Sequence, residues 1–199
     1  HTWNEHSFDI MAGYSWQHFY GKSHSVSYFN VTDEIKPNDA GYPWWQWESF
    51  LVSFYGRVNY SIASKYLFTA SLRADGSSRF GSSRRWAAFW SLGFMWDMRN
   101  EKFMDSASRW LTNAQLSFST GTSGNSSIPN YEHMALVGGG LDYVGNAGVG
   151  LMQPGNENLG WEKPWTTNFA IHAGFWNRLN VDLELYYKHT SDMLMEVPE

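Results

Sequence analysis

The side chains able to do chemistry are scattered along this chain, and their spacing narrows what they can do. Seven histidines (His1, His6, His18, His24, His133, His172 and His189) invite a metal site, but none falls in an HxH or HExxH pattern. They read as isolated polar histidines, and no metal or other cofactor is expected. The run GGGLDYVGNAGVG (138–150) satisfies neither GxGxxG nor GxxxxGK[ST] and lacks a strand-to-helix setting, so it reads as a flexible exterior loop. Asp182 and Glu184 lie two residues apart on one extended segment, about 7 Å along it, and read as two solvated carboxylates on one face. No nucleophile-elbow sequence occurs. No catalytic residue is assigned, and no enzyme is expected.

Binding chemistry is better represented. The stretch YPWWQWE (42–48) puts three tryptophans in what reads as a long loop, and Trp44, Trp45 and Trp47 are candidates to stack on sugar rings. Arg84 and Arg85 are adjacent in another loop and suit acidic sugars or lipopolysaccharide phosphates. Four further polar groups, Arg57, Arg73, Asp75 and His172, share the polar side of segments whose other side is apolar.

Those segments set the architecture. Seven stretches alternate with period two: Ser7–Tyr20, Phe50–Ile62, Lys65–Asp75, Trp86–Asp97, Asn113–Thr120, Trp165–Trp176 and Arg178–His189. In the third, Phe68, Ala70, Leu72 and Ala74 oppose Thr69, Ser71, Arg73 and Asp75. Their connections are sorted by length. Ala63-Ser64-Lys65 and Trp176-Asn177-Arg178 are tight turns, and 98–112 is a modest link with helical character. The stretches 21–49, 76–85 and 121–164 are long. Short turns at one end and long loops at the other are the signature of an outer-membrane barrel.

Composition agrees. Thirty-six aromatic residues (12 Trp, 11 Tyr, 13 Phe) in 199 are many for a soluble core of this size. Tyr and Trp collect near segment ends, where an interfacial girdle would lie. Mean hydropathy is −0.45, as expected when only alternate strand residues face lipid. The net charge of −5 argues against a nucleic-acid or anionic-membrane partner held by bulk charge, and the absence of cysteine excludes disulfides and thiolate metal sites.

Six stretches carry a resemblance: 56–81, RWAAFWSLGFMW (85–96), NEKFM (100–104), LSFSTGTSGNSSIPNY (116–131), NENLGWEK (156–163) and 166–194. In this order they resemble the C-terminal barrel of SusC/RagA-type TonB-dependent transporters of Bacteroidota. The expected fold is all-β: a transmembrane antiparallel β-barrel segment of about seven strands, residues 1–199 being part of a barrel of about 22 strands. The resemblance implies a plug domain and further strands outside this chain, and a location in the outer membrane as a multi-pass barrel. It also implies import of oligosaccharides or peptides, a SusD-like surface lipoprotein as partner, and energy from TonB–ExbB–ExbD acting through an N-terminal region. Arg57, Arg73, Asp75 and His172 would then face the lumen. Two other readings stay open: a soluble carbohydrate-binding β-sandwich and a passive porin-type barrel.

Overall fold

The computed structural model describes residues 2–3, 5–23, 26–29, 34–37 and 45–195. Its strands are β1 (Thr2–Trp3), β2 (His6–Ser23), β3 (Val26–Phe29), β4 (Glu34–Pro37), β5 (Trp45–Ile62), β6 (Tyr66–Ser77), β7 (Trp86–Asp97), β8 (Leu111–Thr122), β9 (Leu136–Tyr143), β10 (Asn146–Gln153), β11 (Lys163–Phe175) and β12 (Leu179–Ser191). Eight of them form one sheet in the order β1-β2-β5-β6-β7-β8-β11-β12, each antiparallel to its neighbour. β3–β4 and β9–β10 are separate hairpins inside the long connections. The seven alternating segments are the seven long strands, and β1 adds a two-residue edge.

The register turns sequence alternation into rows across the sheet. One row runs Phe8, Tyr60, Phe68, Phe94, Phe118, Phe169 and Leu185 over seven strands. Its rings touch in series, with centroids 4.3 Å apart for Phe8–Tyr60, 6.3 Å for Tyr60–Phe68 and 4.9 Å for Phe68–Phe94. The next row toward the long connections is Ile10, Val58, Ala70 and Leu92, and the one after it Ala12, Gly56, Leu72 and Trp90.

Nothing packs on this apolar face among the described residues. Ile10 is 74% exposed, Leu72 62% and Leu185 60%. Only six apolar side chains are buried among the described residues, far below what a soluble domain of this length encloses. A β-sandwich needs a second sheet about 10 Å above the first. Among the described residues no second sheet packs on this face, which argues against the sandwich reading. An apolar face this wide requires a nonaqueous cover.

Short turns close one end. Ala63 and Ser64 (φ 51° and 55°) join β5 to β6, and Trp176 and Asn177 (φ 52° and 54°) join β11 to β12. Two consecutive left-handed residues follow the twist of the strands they join. At this end two 3-10 turns, Met98–Asn100 and Lys102–Ala107, link β7 to β8. Glu101 between them accepts hydrogen bonds from the Tyr66 hydroxyl (2.5 Å), Lys65 Nζ (3.3 Å) and Trp96 Nε1 (3.3 Å). The Tyr66 hydroxyl, with Lys65 and Trp96 in support, holds the Glu101 carboxyl below its ordinary pKa against the opposing effect of desolvation.

Two expectations for the long connections need correction. The stretch 21–49 is not all loop, because β2 and β5 continue as a two-stranded arm, paired from His18↔Phe50 out to Ser23↔Trp45. Nor is 138–150 a flexible loop. It forms most of the β9–β10 hairpin, which turns on Val144 and Gly145 (φ 53° and 77°).

Candidate functional site

The polar face of the sheet and the segments folded over its long-connection end carry the candidate site. Alternation puts hydroxyls, amides and charges here, in rows that lie between those carrying aromatics on the other face. Across β2, β5 and β6, Thr69 Oγ1 donates to Asn59 Oδ1 (2.9 Å), and Asn59 Nδ2 donates to Asp9 Oδ1 (3.3 Å). One row further, the Ser71 and Ser91 hydroxyls share a 2.6 Å bond. Beyond that, Arg73 Nε contacts both oxygens of Asp75 (2.7 and 2.8 Å), and Arg73 Nη2 donates to Ser53 Oγ (3.1 Å). Asp75 is buried, while half of the Arg73 side chain stays exposed. This tied pair presents a cationic edge to solvent with its carboxylate counterpart beneath.

The stretch after Asp75 is a structural anchor. Gly76 and Ser77 still belong to β6. Phe80 is fully buried, and its ring meets Trp161 at 5.1 Å; Trp161 meets Phe89 at 5.5 Å. Arg79 Nε donates to Asn130 Oδ1 (2.9 Å) and Nη1 to the Ser126 carbonyl (3.3 Å), while the Arg79 carbonyl bonds His133 Nδ1 (3.0 Å). A side chain at Gly81 would meet the Glu157 carbonyl oxygen at 2.1 Å, so glycine lets the two backbones touch there. Trp161 Nε1 in turn donates to the Arg85 carbonyl (2.8 Å). Loop 76–85 and the segments around 126–133 and 157–162 are thus one packed cap.

Beneath this cap is a cavity of about 410 Å³, lined by Ser71, Arg73, Asp75, Ser91, Ser123 and Ser126, with Phe89 and Trp161 also on its wall. Hydroxyls and a guanidinium over aromatic walls suit reversible hydrogen bonding to a polyhydroxylated or amide-rich ligand. Arg57 stands one row away, opposite Met11 and Ser71. His172 is on the same face but near the short-turn end, where its Nδ1 bonds Asp182 at 2.6 Å. The structure therefore brings Arg73 and Asp75 together and leaves His172 apart from them.

The aromatic candidates divide. Trp44 lies outside the described residues. Trp45 and Trp47 are not in a loop, since both belong to β5. Trp47 stands opposite Gly21, and a side chain there would meet its indole at 2.2 Å, so part of the ring surface is already covered. Arg84 is exposed with its stem against Gly160, and Arg85 Nε reaches the Phe80 carbonyl at 3.4 Å. Sequence reasoning missed Ser123, Ser126 and Trp161. Their only signals were the motifs LSFSTGTSGNSSIPNY and NENLGWEK, because the pairing that delivers them, Asn125 with Glu162, spans distant parts of the chain.

Comparison with known proteins gives a consistent set of relatives. Residues 1–199 match the family model described as TonB dependent receptor-like, beta-barrel. TonB-dependent receptor P39 of Formosa agariphila is 35% identical over 99% of this chain and 20% of its own length. TonB-dependent receptor SusC of Bacteroides thetaiotaomicron is 34% identical over 96% of this chain and 20% of its own. Among solved structures, the RagAB peptide transporter superimposes with a TM-score of 0.84 at 33% identity, covering 98% of this chain and 23% of that one. The RagAB peptide importer in its closed-closed state gives 0.86 at 32%, covering 98% and 22%. The chain spans about a fifth of the length of the curated relatives it matches.

Proposed function

The chain belongs to the TonB-dependent receptor-like β-barrel family, and from that premise we propose that it is a wall segment of an outer-membrane active transporter importing oligosaccharides or peptides. The observation that carries this reading is the two-faced single sheet. An uncovered apolar face meets lipid, and the hydrogen-bonded face with Arg57, Arg73, Asp75 and His172 lines an aqueous lumen. The open edges of the sheet need partners, because unpaired backbone groups in lipid cost several kcal/mol each. Further strands of the same barrel supply them.

In this reading cargo held at the capped end is released inward when TonB acts on a plug outside this chain. A SusD-like lipoprotein covers the exterior, a reading supported by the likeness to SusC and to the RagAB peptide transporter. Trp45, Trp47, Arg84 and Arg85 lie toward the same end of the strands as the cap and are, with Trp44 next to them in sequence, the candidate exterior contacts.

The test is the native polypeptide. A 22.9 kDa chain spanning a fifth of its relatives implies roughly 110 kDa for the whole. An antibody to residues 121–164 is expected to detect a band near that size in outer-membrane fractions, shifting when the sample is boiled. A soluble band near 23 kDa without a heat shift would overturn the proposal.

A further inference from the structure

A second cavity, of about 320 Å³, lies at the same end of the sheet and is lined in part by Ser83, Arg84, Trp86, Asn156, Asn158 and Lys163. It shares Trp161 with the cavity under the cap and none of that cavity's hydroxyls. Its cations share a spacing in sequence: Arg84 stands two positions before Trp86, the first residue of β7, and Lys163, the first residue of β11, two positions before Trp165.

Both tryptophans lie on the apolar face. Trp86 is in the row of Trp16, Val52 and Gly76, with its indole where a Gly76 side chain would be (2.7 Å) and its centroid 6.2 Å from Phe54. Trp165 packs edge-on against Tyr187 at 6.2 Å, within the same alternation as Thr167 and Phe169. Tryptophans at this position in a membrane barrel mark the headgroup level. A cation one step beyond each of two such tryptophans is therefore held where lipid phosphates begin, and both cations converge on one depression.

We propose that Arg84 and Lys163 form a binding site for a phosphomonoester of an outer-leaflet glycolipid, with the Asn156 and Asn158 amides and the Ser83 hydroxyl as neutral donors. Guanidinium and ammonium groups make their strongest hydrogen bonds to such oxygens. The stem of Arg84 rests on Gly160, which limits the freedom lost on binding. Among the described residues that line the cavity, one opposes the site: Asp192 Oδ2 lies 3.9 Å from Lys163 Nζ. That contact is long and its carboxylate exposed, so a phosphate competes with it, and removing the Asp192 charge strengthens the site. The proposal rests on the outer-membrane reading above.

The experiment uses the full polypeptide, delipidated in dodecyl maltoside, a phosphate-free detergent. Diphosphoryl lipid A or its dephosphorylated form is added, and retained lipid is quantified by mass spectrometry after gel filtration. The wild type is expected to retain the phosphorylated lipid at least about tenfold better than the dephosphorylated one, the preference falling as salt rises. Arg84→Gln with Lys163→Gln abolishes that preference, while Asp192→Asn increases retention. Equal retention by the wild type and the double variant, or a loss on Asp192→Asn, would overturn the proposal. Displacement by inorganic phosphate at concentrations matching the lipid would overturn the lipid as its source. Heat-shifted migration is read on the same samples. If it is present while lipid preference is absent, the site fails and the barrel reading survives.

Discussion

Replacing Phe80 by alanine is expected to cost about 3–5 kcal/mol in the stability of the loop cap, the usual range for deleting a buried aromatic. Its ring is fully buried, and with Phe89 and Trp161 it forms the apolar cluster that joins loop 76–85 to the segment bearing Trp161. Water entering the void would also weaken the neighbouring polar ties, the Arg79–Asn130 bond and the Trp161–Arg85 bond. Hydrogen exchange on the full polypeptide reads this directly. Amides of 76–85 and 154–162 are expected to lose protection together, while those of β6 and β7 below the cap keep theirs. Phe80→Leu should retain most of it. Unchanged exchange in Phe80→Ala would mean that the cap is held by other contacts.

Leu72→Arg is expected to be the most damaging single change on the apolar face, destabilising the inserted barrel by about 2–4 kcal/mol. Leu72 is exposed in a row with Ala12, Gly56 and Trp90, away from both ends of the strands, where arginine has the longest way to a headgroup. Asn59→Arg is the matched control on the opposite face. It sits beside Asp9, which can pair with the new guanidinium, so its effect is expected within about 1 kcal/mol. Urea titration of barrels refolded in vesicles compares the two. Equal tolerance of both substitutions would mean that Leu72 does not face lipid.

Why these faces were legible in sequence, and other features not, follows from what constrains each residue. Where one face must be apolar and the other polar, every second residue is fixed, and the seven long strands emerge from that pattern alone. Beyond the apolar zone the rule lapses. Trp47 falls, by register, on the face of Ser53 and Tyr55, so the parity of apolar residues reverses there and the β5 extension reads as loop. The β9–β10 hairpin carries glycine where alternation would show, and it too was hidden. Its left-handed turn at Val144-Gly145 has counterparts at Ala63-Ser64 and Trp176-Asn177, which use no glycine at all.

The candidate site was legible only in part. Arg73 and Asp75 could be placed on one face because they are two residues apart on one strand. The cavity they share with serines 123 and 126, and the Phe80–Trp161 contact that closes the cap, depend on pairings between segments some 50 to 80 residues apart. No local pattern encodes those. Arg79 illustrates the limit: nothing in its sequence neighbours signals that its guanidinium bonds Asn130 and the Ser126 carbonyl.

The central claim is that alternate residues of these strands face lipid and water, and a spin-label scan along β6 tests it most directly. This stretch has no cysteine, so once any cysteines elsewhere in the full polypeptide are replaced by serine, single cysteines from 67 to 74 can each carry one label in bilayers. Collisional accessibility to oxygen and to a water-soluble nickel chelate is then measured at each site. The account predicts a strict period of two, with oxygen favoured at Phe68, Ala70, Leu72 and Ala74 and nickel at Leu67, Thr69, Ser71 and Arg73. Accessibility without that period, or nickel favoured at every site, would contradict it.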